Sequence, residues 1–66
     1  MLRSEEYRQI AEHYRERAHG EKSTRLANVL LSVSNAYLAL ASQLDLLALV
    51  ERQESARTAA GDTLKA

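Results

Sequence analysis

The stretch LANVLLSVSNAYLALASQLDLLALV, residues 26–50, decides the fold. Its large apolar positions are separated alternately by four and three residues, which is the spacing of a coiled-coil-like helical seam. The seam consists of Leu26, Leu30, Val33, Tyr37, Leu40, Leu44 and Leu47. Beside it, a column of small residues recurs every seven positions, at Ala27, Ser34, Ala41 and Ala48. The stretch therefore predicts a long helix that another helix can approach closely.

A shorter amphipathic helix is predicted upstream, at about residues 4–19. One stripe at helical spacing carries its apolar side chains, which are Tyr7, Ile10, Ala11, Tyr14 and Ala18. Ser4 suits the N-cap position, and Gly20 suits the left-handed residue that closes a helix. A loop of about three residues follows, and Ser23 is the next candidate N-cap.

From Ser23 no residue breaks the helical pattern before Gly61, so helix 2 is predicted at about 23–60, with a frayed tail at 61–66. A start signal at Ser42 leaves open a third helix beginning there, but the seam continues through it without a change of phase. The fold prediction is therefore all-α: one domain, 1–66, formed by an antiparallel two-helix hairpin with a long second helix.

Helix 1 is too short to cover helix 2, so it is expected to lie against residues 26 to about 40. Beyond that point Leu44, Leu46, Leu47, Leu49 and Val50 have no predicted partner within the chain. If these five side chains stay exposed to water, the chain loses roughly 8–15 kcal/mol of stabilisation that their burial would contribute. We therefore expect a homodimer or higher oligomer, either a four-helix bundle or a coiled-coil-like assembly. The predicted interface consists of Leu38, Leu40, Leu44, Leu46, Leu47, Leu49 and Val50.

A membrane is the competing cover for the same segment. Between Arg25 and Asp45 lie 19 residues without a charge, and from Val29 to Val50 Asp45 is the only charged one. That length can span a bilayer. However, a central Asp costs about 2.5–3.5 kcal/mol on the insertion scale, and polar residues recur along one side of the helix. The alternative kept open is an accessory subunit that docks on or in a membrane complex through residues 29–50.

Catalytic and metal chemistry has little support in the sequence. Glu16 and His19 have the Glu-x-x-His spacing of di-iron bundles, but the helical wheel places them with Glu12 on the solvated side. The sequence has no cysteine, no Gly-rich phosphate loop and no nucleophile with a nearby base. No catalytic residue, cofactor or metal site is therefore predicted, and the chain is not expected to be an enzyme.

Charge and composition limit which of the remaining functions are expected. Nine basic and nine acidic side chains cancel, which removes the net positive field that favours nucleic acid. The first third is rich in arginine, so an RNA-binding hairpin dimer stays as a lesser alternative, although acidic residues are interleaved there. The charged N-terminus lacks the apolar run of a signal peptide, so we expect a cytoplasmic protein. The function predicted is a non-catalytic interaction protein, structural or regulatory, that binds itself or a partner helix.

The pattern from Tyr7 onward resembles a set of short, uncharacterised helical-hairpin proteins found mainly in alphaproteobacteria. Their first helix typically reads Y-R-x-x-A-E-x-C-R-x-x-A and their second L-L-x-x-A-x-x-Y-x-x-L-A. The matching positions are Tyr7, Arg8, Ala11, Glu12, Arg15, Ala18, Leu30, Leu31, Tyr37, Leu40 and Ala41. Tyr14 replaces the usual Cys of the first helix, and Ser34 replaces the usual Ala of the second. In the short linker between the helices, Ser23-Thr24 replaces the usual Asp-Pro. The resemblance covers residues 7–41 and implies a helical hairpin of bacterial origin, with no assigned activity or site.

Overall fold

Two helices form from the two amphipathic segments. The computed structural model describes residues 3–65, with side chains for 3–61. Helix α1 spans Ser4–His19 and helix α2 spans Thr24–Lys65, and no strand occurs among these residues. The helices pack as an antiparallel pair, so the predicted all-α hairpin is confirmed. At 1.5 Å per residue, α2 is about 63 Å long and α1 about 24 Å.

The two ends of α1 differ from the prediction. Ser4 is the first helical residue and not the cap, because its hydroxyl accepts a hydrogen bond from Arg8 (3.3 Å) and is not used by the backbone. Gly20 has φ −88° and ψ −4°, which is right-handed, so the predicted left-handed closure is wrong. The reason is that the Gly20 N–H still donates to the Glu16 carbonyl (3.3 Å), in the helical register.

Ser23 caps α2 as predicted. Its Oγ accepts a hydrogen bond from the backbone N–H of Leu26 at 3.2 Å, which satisfies one of the donors left free at a helix start. The Ser23 N–H in turn donates to Oε1 of Glu21 at 3.1 Å. The link between the helices is therefore the short segment 20–23, which forces α1 and α2 to run antiparallel.

Helix α2 is continuous. It does not break at Ser42, which confirms the single long helix, but it continues through Gly61 to Lys65 and does not end near residue 60. Gly61 has no positive φ. A glycine within a helix costs only about 1 kcal/mol relative to alanine, so it need not end one. Fraying of the tail at 61–66 stays a prediction, and Ala66 lies outside the described residues.

Helix α1 packs on the small column of α2, which we define as Ala27, Ser34, Ala41 and Ala48. Ser34 and Ala41 are buried, and Ala27 is half-buried. The Ser34 hydroxyl donates to the main-chain carbonyl of Ala11 at 2.7 Å, so a side chain of one helix reaches the backbone of the other. Ala48 is exposed because it lies past the end of α1. The small column thus has its predicted role.

Three tyrosines form a stack along one edge of the helix pair. The Tyr37 ring of α2 lies between two rings of α1, with centroids 6.0 Å from Tyr7 and 5.8 Å from Tyr14. The Arg17 guanidinium lies 5.7 Å from the centroid of Tyr14 and extends the stack. Each ring is half-buried, as predicted for apolar-stripe tyrosines at the rim of the core. The stack itself was not predicted.

Candidate interaction surface

The core within the chain consists mostly of small side chains. Among the described residues, the buried apolar ones are Ala11, Ala18, Leu30 and Ala41, and Ser34 is the buried polar one. Leu30 is therefore the one large apolar side chain in the buried class, and no large side chain is fully buried. Burying a large apolar side chain contributes about 1.5–3 kcal/mol, so the hairpin has few such contributions of its own.

Nine large apolar side chains of α2 are instead 37–54% exposed. They are Leu26, Val29, Leu31, Leu38, Leu40, Leu46, Leu47, Leu49 and Val50. Six of the seven residues of the predicted interface belong to this set, and the seventh, Leu44, is half-buried. Exposure in the single chain leaves open what covers these side chains.

Leu44, which the sequence predicts to have no partner within the chain, is half-buried in the single chain. Arg8 of α1 pairs with Asp45 of α2, so the contact between the helices extends past residue 40 to residue 45. Every side chain beyond this pair, from Leu46 to Ala60, is in the exposed class. The uncovered part of α2 therefore begins after Asp45, about one turn later than the sequence indicated.

The exposed apolar side chains lie on more than one side of α2. One heptad column, which we call the outer column, consists of Leu26, Val33, Leu40 and Leu47. Of these, Val33 is half-buried and the other three are exposed. At 100° per residue, this column lies beside Leu30, Tyr37 and Leu44, on the same edge of the hairpin as the tyrosine stack.

Other exposed apolar residues lie away from the outer column. Leu31, Leu38 and Leu49 follow the opposite edge of the small column, and Leu46 and Val50 lie on the side turned away from α1. The predicted interface omitted Leu26, Val29, Leu31 and Val33 because it was drawn only around the uncovered C-terminal part. The heptad repeat that begins at Leu26 is the sequence signal that could have included the outer column.

Asp45 is the one charged residue within the apolar segment, and α1 supplies its partners. Arg8 forms an ion pair and a hydrogen bond with its carboxylate. Hydrogen bonding from the Ser4 hydroxyl, then hydrogen bonding and positive charge from Arg8, lowers the pKa of the Asp45 carboxyl from its ordinary value. Both side chains of the ion pair remain about half exposed, so solvent screens their attraction.

The lowered pKa of Asp45 predicts a pH dependence of stability. The folded chain favours the ionised carboxylate, so its contribution is present at neutral pH and is lost as the pH falls below about 4. We expect Asp45→Asn to have a slightly lower Tm than the wild type at pH 7, and the difference to disappear towards pH 2. Thermal unfolding followed by circular dichroism at fixed protein concentration measures this.

Glu12→Gln is the matched control for the Asp45 experiment. Glu12 is an exposed α1 carboxylate without an ion pair among residues 3–61. Its Tm difference from the wild type, measured at pH 7 and pH 2 alongside Asp45→Asn, gives the effect of removing an exposed carboxylate that has no ion pair. If the Asp45→Asn difference changes with pH no more than the Glu12→Gln difference does, the pairing of Asp45 with Arg8 and Ser4 does not stabilise the fold.

The polar groups with catalytic or metal-binding chemistry are dispersed and solvated. Glu12, Glu16 and His19 are exposed, as the helical wheel predicted. The described residues contain no group of three His, Cys, Asp or Glu side chains placed to hold a metal ion. Two arginines of the basic first third are engaged within the chain, Arg8 with Asp45 and Arg17 with Tyr14. The tyrosine rings stack on each other, which leaves less ring surface for a nucleic-acid base.

The whole chain exposes more surface than a compact protein of its mass. Its accessible area is 5470 Å² at 7.4 kDa, whereas a compact monomer of that mass exposes about 4,200 Å². Its radius of gyration is 18.6 Å, against about 11 Å for a compact domain of this length. The excess is about 1,300 Å² per chain, which exceeds the roughly 800 Å² that each partner contributes to a standard protein interface.

Helix α2 also meets the length and composition criteria of a membrane span. Residues Thr24–Gly61 include an 18-residue window with mean hydropathy 1.4, of which 11% is buried against the rest of the chain. A single helix of this kind is weak evidence for a membrane, because buried core helices of soluble proteins and signal sequences meet the same criteria. The finding keeps lipid among the possible covers of the apolar surface.

The fold and the surface define a class of protein: an all-helical hairpin whose long helix carries an uncovered apolar surface. No protein family, curated protein or solved structure matches the chain.

Proposed function

We propose that this chain is a non-catalytic, cytoplasmic interaction protein that acts through self-association of α2. The observation that carries the proposal is that α2 exposes its large apolar side chains and buries mainly small ones. Nine large apolar side chains are exposed, while the hairpin buries mainly alanines. Monomeric soluble proteins rarely expose large groups of neighbouring apolar side chains, and α2 carries such residues on more than one side.

The thin core of the hairpin supports the same function. A chain of 66 residues is at the lower limit for folding alone, and without cysteines it has no disulfide to stabilise it. Oligomerisation can stabilise the chain, because the exposed leucines of two copies can bury each other and so add the apolar burial that the single hairpin lacks. Folding and association are then one process, and stability depends on chain concentration.

Analytical ultracentrifugation tests the proposal directly. In buffer without detergent we expect a discrete dimer of the 7.4 kDa chain. Its thermal midpoint, followed by circular dichroism, should rise with protein concentration. A fully helical monomer with a concentration-independent midpoint would show that the hairpin is stable alone and would refute self-association.

A second candidate is an accessory subunit that docks on or in a membrane complex through residues 29–50. The length and hydropathy of Thr24–Gly61 favour it. The same ultracentrifugation experiment separates the two functions. Aggregation in plain buffer, reversed by detergent with one chain per micelle, favours the membrane subunit. A dimer that is the same with and without detergent favours the soluble interaction protein.

A further inference from the structure

We infer that the partner of α2 is a second copy of this chain, aligned antiparallel along the outer column, with the two-fold axis beside Ala36 and Tyr37. This inference rests on the proposed function and adds its geometry. The two hairpins then form a four-helix bundle in which each α2 lies between its own α1 and the partner's α2.

The outer column fixes the direction of the partner helix. Leu26, Val33, Leu40 and Leu47 occupy the same heptad position through three heptads, about 31 Å of helix. A steeply crossing partner would cover only one or two of them. A helix that runs along α2 in a coiled-coil manner covers all four, because the seven-residue repeat keeps them on one side.

The outer column also fixes the position of the two-fold axis. In an antiparallel pair related by two-fold symmetry, residues equally far on either side of the axis lie opposite each other. An axis beside Ala36 and Tyr37 places Leu26 opposite the partner's Leu47, and Val33 opposite the partner's Leu40. Moving the axis along the helix leaves one end of the column against polar residues.

The position of α1 agrees with this axis. The Ser34–Ala11 hydrogen bond, the Arg8–Asp45 ion pair and the stack around Tyr37 place α1 beside the middle of the charge-free segment. A two-fold axis at that level puts both α1 helices at the same height along the bundle. An axis nearer residue 47 would stagger them and give a longer assembly with less contact.

Charge complementarity favours the antiparallel orientation over the parallel one. Lys22, in the link, and Arg25 precede the outer column, and Glu51 follows it on the same side of α2, while Glu54 forms an ion pair with Arg57 at 3.9 Å. An antiparallel partner about the inferred axis brings its Glu51 to the level of Lys22 at both ends of the seam. A parallel partner in register places each charge beside its own copy, which is repulsive.

The area available is sufficient for such a dimer. The chain exposes about 1,300 Å² more than a compact protein of its mass, and a stable interface takes roughly 800 Å² from each partner. The polar column, which we define as Asn28, Asn35 and Ser42, is exposed and remains outside this interface, facing water. A second copy bound along the outer column covers its exposed residues Leu26, Leu40 and Leu47.

Thiol cross-linking tests the orientation, and the absence of cysteine from the natural sequence makes single-cysteine variants unambiguous. Ala36→Cys and Gln43→Cys are a matched pair, because both residues are exposed and occupy the same heptad position. With the inferred axis, the two copies of residue 36 lie next to each other. The two copies of residue 43 lie about 20 Å apart along the bundle, at 1.5 Å per residue.

With a short bis-maleimide reagent we expect Ala36→Cys to give a covalent dimer and Gln43→Cys to stay uncross-linked. We further expect a mixture of Val29→Cys and Gln43→Cys chains to link to each other, because the inferred axis places these residues opposite each other. Neither of the two should link alone. Ultracentrifugation of every variant shows whether it still associates.

Each other outcome overturns the inference in a recognisable way. Cross-linking of both Ala36→Cys and Gln43→Cys would indicate a parallel pair in register. Cross-linking of Gln43→Cys alone would move the axis towards residue 43. A dimer in which no variant links would place the interface on another side of α2. These three results leave the proposed self-association intact, whereas variants and wild type that are all helical monomers refute both.

Discussion

Leu47→Glu is expected to convert the dimer to monomers and to remove much of the helical structure at the same time. Leu47 is exposed in the single chain and lies past Asp45, the residue that pairs with Arg8 of α1. The substitution is therefore made outside the Arg8–Asp45 and Ser34–Ala11 contacts that join α1 to α2. A loss of helicity would show that folding of the hairpin depends on association.

The expected effect of Leu47→Glu on the dimer dissociation constant follows from the two-fold symmetry of the dimer. Each dimer contains two copies of Leu47, and burial of each contributes about 1.5–3 kcal/mol. About half of each Leu47 side chain is already covered in the single chain, so losing the remaining burial of both weakens association by roughly 1.5–3 kcal/mol, which is about 10-fold or more in Kd. The desolvation of two carboxylates adds to this. Ultracentrifugation across a concentration series, with circular dichroism on the same samples, measures both effects.

Asn35→Glu is the control for Leu47→Glu. It introduces the same side chain into α2 at an exposed position of the polar column, away from the outer column. Because glutamate favours helix as well as most residues do, we expect an unchanged dimer with unchanged helicity. A Leu47→Glu protein that remains a folded dimer would remove the outer column from the interface.

The two helices and their pairing could be predicted because their determinants are periodic. The four-and-three spacing from Leu26 to Leu47 and the stripe from Tyr7 to Ala18 each specify a helix and its apolar side. The short link around Ser23 specifies the antiparallel pairing. The continuity of α2 through Ser42 followed from the unbroken phase of the seam, which outweighs a single capping signal.

Helix ends were predicted less well because they depend on one or two competing hydrogen bonds. The Ser4 hydroxyl accepts from Arg8, and it does not cap the helix because Arg8 is held near by Asp45. That partner comes from the other helix, 37 residues along the chain, and no local pattern contains it. Gly20 and Gly61 are permissive residues, so their presence alone does not require a left-handed turn.

The candidate surface was predicted in part, for a geometric reason. The seam is broad enough to contact two neighbours, and the sequence does not say which edge α1 takes. In the structure, α1 takes the edge with the small column and Leu30, and it leaves Leu26, Leu40 and Leu47 exposed. The close approach at Ser34 and Ala11 decides this, because only small side chains allow it.

Ala41→Leu is expected to open the hairpin itself. Ala41 has no exposed surface and belongs to the small column on which α1 packs. Overfilling a packed contact costs about 1–3 kcal/mol, and here the neighbouring helix is held close by the Ser34–Ala11 hydrogen bond. For a chain of this size, 1 kcal/mol lowers Tm by roughly 4–8 °C. We therefore expect a decrease of about 4–24 °C, measured by circular dichroism at fixed concentration.

Ala39→Leu distinguishes overpacking from a change of helix propensity. Ala39 is exposed on α2, two residues before Ala41 and outside both the small and the outer column. Leucine is nearly as good a helix former as alanine, so Ala39→Leu should change Tm by only a few degrees at most. Equal Tm values for the two variants would mean that α1 does not pack tightly against Ala41 in solution. A large loss for Ala41→Leu alone requires the close helix pair, because nothing else distinguishes two alanines in the middle of the same helix.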